Sequence, residues 1–262
     1  MLKRYPATVT AVVLAGGIGR RIAGEVPKQL MEVAGKTLLE RSVGAFAEHD
    51  MVDEVLVVMA AEFHAQAERT LRSSDLAVKP EIIAGGRDRS DSTAAALRYL
   101  NARHDGARKV LIHDAARPLV SQRLIGDVVD RLEAYSAVDV AIGAADTMIT
   151  TTTDVEGEEI LESVPERSRL RRVQTPQGFR LDVLSRAFDG ARDDPDFQVT
   201  DDCSVVHRYL PDVDVSVVAG EETNFKVTRP IDMVMADTIL RLPRQDDDLD
   251  GALRDWVTDR NP

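Results

Sequence analysis

Short apolar runs rich in β-branched residues recur along this chain, separated for the most part by stretches of helical periodicity. In order they are TVTAVVLA (8–15), DEVLVVMA (53–60), KPEIIAGG (79–86), KVLIHDAARP (109–118), AVDVAIGAA (137–145) and VSVVAG (215–220). Between the first five lie TLLERSVGAFAEH (37–49), a polar helix through 61–72, SDSTAAALRYLNA (90–102) and SQRLIGDVVDRLEAY (121–135). Thr37 and Glu40 form a capping box for the first of these helices, and Ser90 is the expected cap of the third. PIDMVMADTILRL (230–242) closes the series with Pro230 in its first turn. Such alternation specifies an α/β fold, a mostly parallel sheet covered by helices. At 262 residues the chain suffices for one sizeable domain of this kind.

One segment breaks the rhythm. DTMITTTTDVEGEEILESV (146–164) is rich in β-branched residues, has little helical periodicity and turns at Glu156-Gly157. It reads as a hairpin standing off the sheet. Two strands alone are marginal in water, so the hairpin is expected to pack against something, and a second subunit is the natural candidate.

Composition narrows the classes. Hydrophobic residues at 44% can supply a core, and no apolar run has the length of a signal segment or a membrane span. A cytoplasmic protein without membrane contact is expected, in keeping with a single cysteine, Cys203, which excludes an internal disulfide. The net charge of −12 argues against a nucleic-acid-binding surface. Part of that charge sits in QDDDLD (245–250), so residues 244–262 read as an acidic tail after a single domain over 1–243.

Against this negative balance, LAGGIGRRIAGEVPKQ (14–29) places Arg20, Arg21 and Lys28 at the mouth of the first strand. The dinucleotide fingerprint fails here, because Gly17-Ile18-Gly19 is followed by Arg20, Arg21 and Ile22 where a small residue is needed. A P-loop fails too, since Gly19 and Gly24 have its spacing but Glu25 stands where its lysine belongs. Two readings survive: a backbone cradle for a polyphosphate, or a tight turn flanked by solvated cations.

In a parallel sheet the ligand crevice lies beyond the carboxyl ends of the strands. The first strand delivers Gly16, Gly17, Arg20 and Lys28 there; the third delivers GGRDRSDS (85–92); the fourth delivers HDAARP (113–118), with Asp114 beside Arg117. Glycines, cations and one carboxylate suit a nucleoside triphosphate with magnesium, for which Asp114 is the hard-oxygen ligand. His113 reads as a core histidine and Cys203 as a small packing residue. Arg169, Arg171 and Arg172, taken singly, read as solvated.

The motifs LAGGIGRRIAGEVPKQ, GGRDRSDS, HDAARP, VQTPQGF, VTDDCS and NFKVTRP, in this order, resemble those of the CTP:polyol-phosphate cytidylyltransferases, which make CDP-methylerythritol or CDP-ribitol. The resemblance implies a Rossmann-like nucleotidyltransferase sheet flanked by helices, a protruding β-arm at about 146–172, dependence on Mg2+, and a homodimer built through the arm. It implies CTP and a polyol phosphate as substrates. Arg20, Lys28 and Lys226 would be catalytic. Ala15, Gly16, Gly17, Gly19, Gly86 and Ser92 would bind the nucleotide, and Asp114 the metal. Arg117, Thr147, Arg167, Thr175 and Thr200 would surround the acceptor, with Arg167 reaching across from the partner's arm. The acceptor stays open at this point: LAGG and the cysteine of TDDCS are similar to the ribitol enzymes, whereas HDAARP, DTM and KVTRP are similar to the methylerythritol ones.

Overall fold

The computed structural model describes residues 9–16, 27–192, 194, 199–242, 253 and 256–258. The chain enters through β1 (Val9–Leu14), in which every residue is buried. A short hairpin of β2 (Glu32–Val33) and β3 (Lys36–Thr37) leads into α1 (Leu38–Ala47). Then follow β4 (Glu54–Met59), α2 (His64–Arg72), β5 (Glu81–Ala84), α3 (Arg89–Asn101), β6 (Lys109–Asp114), α4 (Gln122–Arg131) and β7 (Ala137–Gly143). The arm is β8 (Thr150–Thr153) and β9 (Glu159–Ser163), and the last elements are β10 (Arg171–Arg180), α5 (Leu181–Ala191), α6 (Asp202–Tyr209), β11 (Val215–Ala219) and α7 (Pro230–Leu240).

Seven strands form one sheet in the order β11-β7-β10-β6-β1-β4-β5. Only β10 runs antiparallel to its neighbours, β6 and β7. The period of two along β1 divides the core. Val9, Ala11 and Val13 face α1, α2 and α4, through residues such as Phe46, Leu71 and Ile125. Val12 and Leu14 face the opposite side, where Leu97, Leu184 and Val205 come from α3, α5 and α6. A β1 that is apolar except for Thr10, whose hydroxyl donates to Glu54 Oε2 at 2.6 Å, suits a strand covered on both faces.

The expected strands and helices are found, with two local differences. Helix α3 is capped by Asp88, whose carboxylate accepts from the Asp91 amide at 2.8 Å, and not by Ser90. An aspartate in extended backbone one residue before the helix is the better acceptor, so Ser90 falls inside the first turn. Strand β10 was not legible, because VQTPQGF carries a proline and a glycine that argue against a central strand. The ladder to β7 shifts between Gln174 and Gly178, and Pro176 sits in that irregular stretch. A Cβ on Gly178 would lie 2.6 Å from Val128 Cγ1, so only glycine lets α4 pack this closely.

The capping box of α1 is present: Thr37 Oγ1 accepts from the Glu40 amide, and Glu40 Oε2 accepts from the Thr37 amide at 2.7 Å. The arm is the expected hairpin, with every residue of both strands exposed and Gly157 at φ +89° in its turn. No helix among the described residues is long and apolar enough to cross a membrane.

Candidate active site

The carboxyl ends of β1, β5 and β6 open on one side of the sheet, where the order reverses around β1. Ala15 and Gly16 leave β1 beside the loop that follows β5. Ser92, buried at 2% exposure, is the contact between them: a Cβ on Gly16 would lie 3.1 Å from its Oγ. The same hydroxyl donates to the Asp88 carbonyl at 2.8 Å and accepts from the Gly86 amide at 3.3 Å. A Cβ on Gly86 would come within 2.0 Å of Asp91 Cβ, so the loop requires bare backbone there. Ala15, Gly16, Gly86 and Ser92 are thus brought together. Gly17, Gly19 and Arg20 lie outside the described residues.

At the end of β6, Asp114 Oδ2 pairs with Lys226 Nζ at 2.8 Å and Oδ1 lies 3.4 Å from Arg89 Nε. Burial alone would raise this carboxyl, but Lys226 and then Arg89 hold it well below the usual carboxylate range. Lys28 Nζ donates to the Val227 carbonyl at 2.5 Å, so the cations of two distant motifs arrive at adjacent residues of one loop. That loop is tied down by the Val227 amide on the Ala116 carbonyl, and by Asn224 Nδ2 on the Thr175 carbonyl, both at 2.8 Å.

Two expected acceptor residues serve the architecture in this conformation. Arg117 is 8% exposed and donates to the carbonyls of Asn224 and Val173, at 2.7 and 3.2 Å. Thr175 is 5% exposed, and its hydroxyl bridges the Asp114 amide and His113 Nδ1. Burial lowers the His113 imidazole to about 4, against the pull of Asp114, so the ring is neutral. Its Nε2 faces the Arg117 carbonyl and must carry the proton, which makes Nδ1 an acceptor and directs the Thr175 hydroxyl proton to it. His113 is the core histidine expected. Thr200 is exposed and donates to Asp201 Oδ2 at 3.2 Å. Thr147 and Arg167 stand at the foot of the arm, where Arg167 donates to the Ala145 carbonyl and lines an open cleft of about 460 Å³ with Ser168 and Arg171.

This layout can be set beside known proteins. The family model for IspD, 2-C-methyl-D-erythritol 4-phosphate cytidylyltransferase, matches residues 9–242. The chain belongs to this family. It is 48% identical over 233 residues to the 2-C-methyl-D-erythritol 4-phosphate cytidylyltransferase of Thermobifida fusca, covering 89% of this chain and 93% of that one. A second relative is the Haemophilus influenzae bifunctional ribulose 5-phosphate reductase/CDP-ribitol pyrophosphorylase, 38% identical over 88% of this chain and 48% of that protein. Among solved structures, the 4-diphosphocytidyl-2C-methyl-D-erythritol synthase of Anaerococcus prevotii superposes with a TM-score of 0.75 at 26% identity, over 89% and 96% of the two chains. The cytidylyltransferase of Thermus thermophilus gives 0.68 at 29% identity, over 88% and 98%.

Membership of the cytidylyltransferase family makes the chain a nucleotidyltransferase and gives Asp114 a chemical context. Magnesium takes one or two carboxylates and completes its shell with phosphate oxygens and water. The Asp114 carboxylate at the end of β6 fits that demand, and Lys226, 43% exposed on a flexible stem, can exchange it for a phosphate. A second group, Asp139, Asp201 and Cys203, has its ligand atoms within 4.8 Å of one another. It fits magnesium poorly: one ligand is a buried thiol, and Gln177 Nε2 already donates to both carboxylates.

Arg89, Asp202 and Gln177 were missed in the sequence. Arg89 stood in GGRDRSDS beside Arg87, and nothing local separates the two. In the structure Arg87 is 93% exposed and pairs with Asp91, whereas Arg89 turns inward to two carboxylates.

Proposed function

We propose that this protein transfers CMP from CTP to 2-C-methyl-D-erythritol 4-phosphate and releases pyrophosphate. The observation that carries the reading is one loop, at the mouth of a cytidylyltransferase sheet, that pairs Lys226 with Asp114 and takes Lys28 on the next residue's carbonyl. A phosphate oxygen of the acceptor forms a bond to the α-phosphorus of CTP. The bond from that phosphorus to the bridging oxygen of the β-phosphate breaks, and pyrophosphate leaves with the electron pair.

A phosphate monoester has its second pKa near ~6 and is mostly dianionic at neutral pH, so no general base is needed. A neutral, buried His113 is consistent with that. The difficulty is charge, because a dianion must approach a triphosphate while negative charge grows on the leaving oxygen. Catalysis is then positioning and electrostatic stabilisation. Arg20 and Lys28 serve the triphosphate, and Ala15, Gly16, Gly17, Gly19, Gly86 and Ser92 hold the nucleotide. Lys226 and Arg117 offset the acceptor's charge, with Thr147, Thr175 and Thr200 beside it. Asp114 would hold magnesium, which when bound would supply positive charge at the triphosphate.

The same reading includes a homodimer. The arm exposes Met148, Ile149, Ile160, Leu161 and Val164, more apolar surface than a lone hairpin can carry. Arg167 at its foot then completes the partner's acceptor site. A single domain over 1–243 operating in the cytoplasm belongs to this proposal as well, and the lone, buried Cys203 suits a reducing compartment. The ribitol 5-phosphate alternative has less support, since the family model and the 48% identical relative both carry the methylerythritol name. Phosphorus NMR of a reaction with CTP, magnesium and 2-C-methyl-D-erythritol 4-phosphate tests the reading. Two coupled diphosphate resonances beside pyrophosphate are expected; an unchanged spectrum rejects it.

A further inference from the structure

Arg89 is the first residue of α3, on the loop that carries Gly86. Its guanidinium spans two carboxylates from different parts of the fold. Nη2 lies 2.7 Å from Asp202 Oδ2 and Nε lies 3.4 Å from Asp114 Oδ1. Asp202 is 0% exposed at the start of α6, and its amide donates to Gln177 Oε1 at 3.0 Å, so the anchor is fixed in turn to β10. Arg89 Nη1 is buried and has no hydrogen-bond partner among the described residues.

A guanidinium with a buried, unpaired N–H is a costly way to stabilise a fold. An ion pair sequestered from water is itself weak evidence for stability, because apolar residues of similar volume often do as well. The arrangement has a different use. Asp114 closes its other oxygen on Lys226, whose side chain is 43% exposed, whereas that of Arg89 is 21% exposed and pairs with Asp202 as well. The carboxylate is therefore held on one side by a cation anchored to a second carboxylate, and met on the other by a more exposed one.

We propose that Arg89 is a positioning residue for cytidylyl transfer: anchored by Asp202, it fixes the Asp114 carboxylate and joins the nucleotide loop to the start of α6. This rests on the transferase reading above. It also gives a reason for the paired aspartates of VTDDCS, in which Asp201 caps α6 and orients the Thr200 hydroxyl while Asp202 holds Arg89.

The test replaces both buried charges at once, with Arg89→Met and Asp202→Leu in one protein, so that neither is stranded. The expected result is a melting temperature close to wild type, kcat down by about 10- to 100-fold, the scale of a small misplacement, and KM for both substrates changed by less than about threefold. Arg89→Lys supplies the single-site control: one ammonium cannot span both carboxylates, so kcat should fall by about tenfold with the fold intact. A crystal structure of the double variant gives a readout that needs no turnover. The Asp114 carboxylate should leave its wild-type position or take more than one rotamer. Wild-type kcat in either folded variant, or an unmoved Asp114 in the crystal, overturns the proposal. If the wild-type protein transfers nothing, the functional reading fails, and the position of Asp114 in the crystal still decides the role of Arg89.

Discussion

Lys226 Nζ lies 2.8 Å from Asp114 Oδ2, an ion pair between a loop near the end of the chain and the end of strand β6. Lys28 joins the same loop one residue later, on the Val227 carbonyl. If these ammonium groups act on charge that develops during transfer, removing one should lower kcat far more than it weakens substrate binding. Lys28→Ala and Lys226→Ala are each expected to cost about 100-fold or more in kcat, the scale of losing one preorganised electrostatic donor. Pyrophosphate release at saturating CTP measures it, and near-normal turnover in either variant removes that lysine from the mechanism.

His113 yields a pH prediction. Its folded value near 4 lies below the ordinary 6.5, because burial disfavours the imidazolium. The unfolded chain therefore binds more protons between these values, so stability from this group is complete above about pH 6.5 and falls as pH drops toward 4. The loss reaches roughly 3 kcal/mol at the acid end. Thermal melts at pH 7.5 and 5.0 should show a steeper acid loss in the wild type than in His113→Gln. Parallel losses would mean that folding does not shift the imidazole's proton affinity.

Asp139 has the opposite sense. Burial, helped by Asp201 and opposed by the Gln177 amide, raises its carboxyl to about 6. The native state then binds the extra proton between 3.8 and 6, so this group costs stability as pH rises through that window and beyond. Asp139→Asn keeps an acceptor for Gln177 and removes the charge. It should melt higher than wild type at pH 8, by about 2–4 °C for each kcal/mol relieved, and the gap should close toward pH 4. A gap that is constant with pH contradicts the assignment.

The arm makes a prediction by complementation. Arg167→Ala and Asp114→Asn should each be nearly inactive alone. After subunit exchange, a mixed dimer in which Arg167 serves the partner has one site with both lesions and one with neither. Activity returning to about a quarter of wild type is then expected in an equal mixture, since half the dimers are mixed and each has one intact site. No recovery after demonstrated exchange places Arg167 in its own subunit's site or outside the chemistry.

Much of this was legible because it is local. Short apolar runs such as VTAVVL and helical spacing in the intervening stretches specify the layered sheet. Thr37 and Glu40 mark a helix start by their spacing alone. Strand β10 was hidden because Pro176 and Gly178 are poor strand residues; Gly178 is paired with strands on both sides, and Pro176 lies where the ladder shifts. The site divided in the same way. Lys28, Asp114 and Lys226 came from motifs, but the inward turn of Arg89 depends on Asp202, more than a hundred residues away in sequence. The sequence could mark Thr175 and Arg117 without revealing that their polar atoms brace His113, Asn224 and Val173.

The central claim concerns both substrates, so the most direct measurement is kcat/KM for pyrophosphate release with CTP and ATP, each crossed against 2-C-methyl-D-erythritol 4-phosphate and D-ribitol 5-phosphate. One methyl group in a pocket is worth only ~1–3 kcal/mol, whereas a hydroxyl matched by buried partners can discriminate more sharply. The account predicts that CTP with the methylerythritol phosphate exceeds every other pair by about tenfold or more. Equal use of ATP, or a ribitol 5-phosphate value tenfold above that for methylerythritol phosphate, would contradict it.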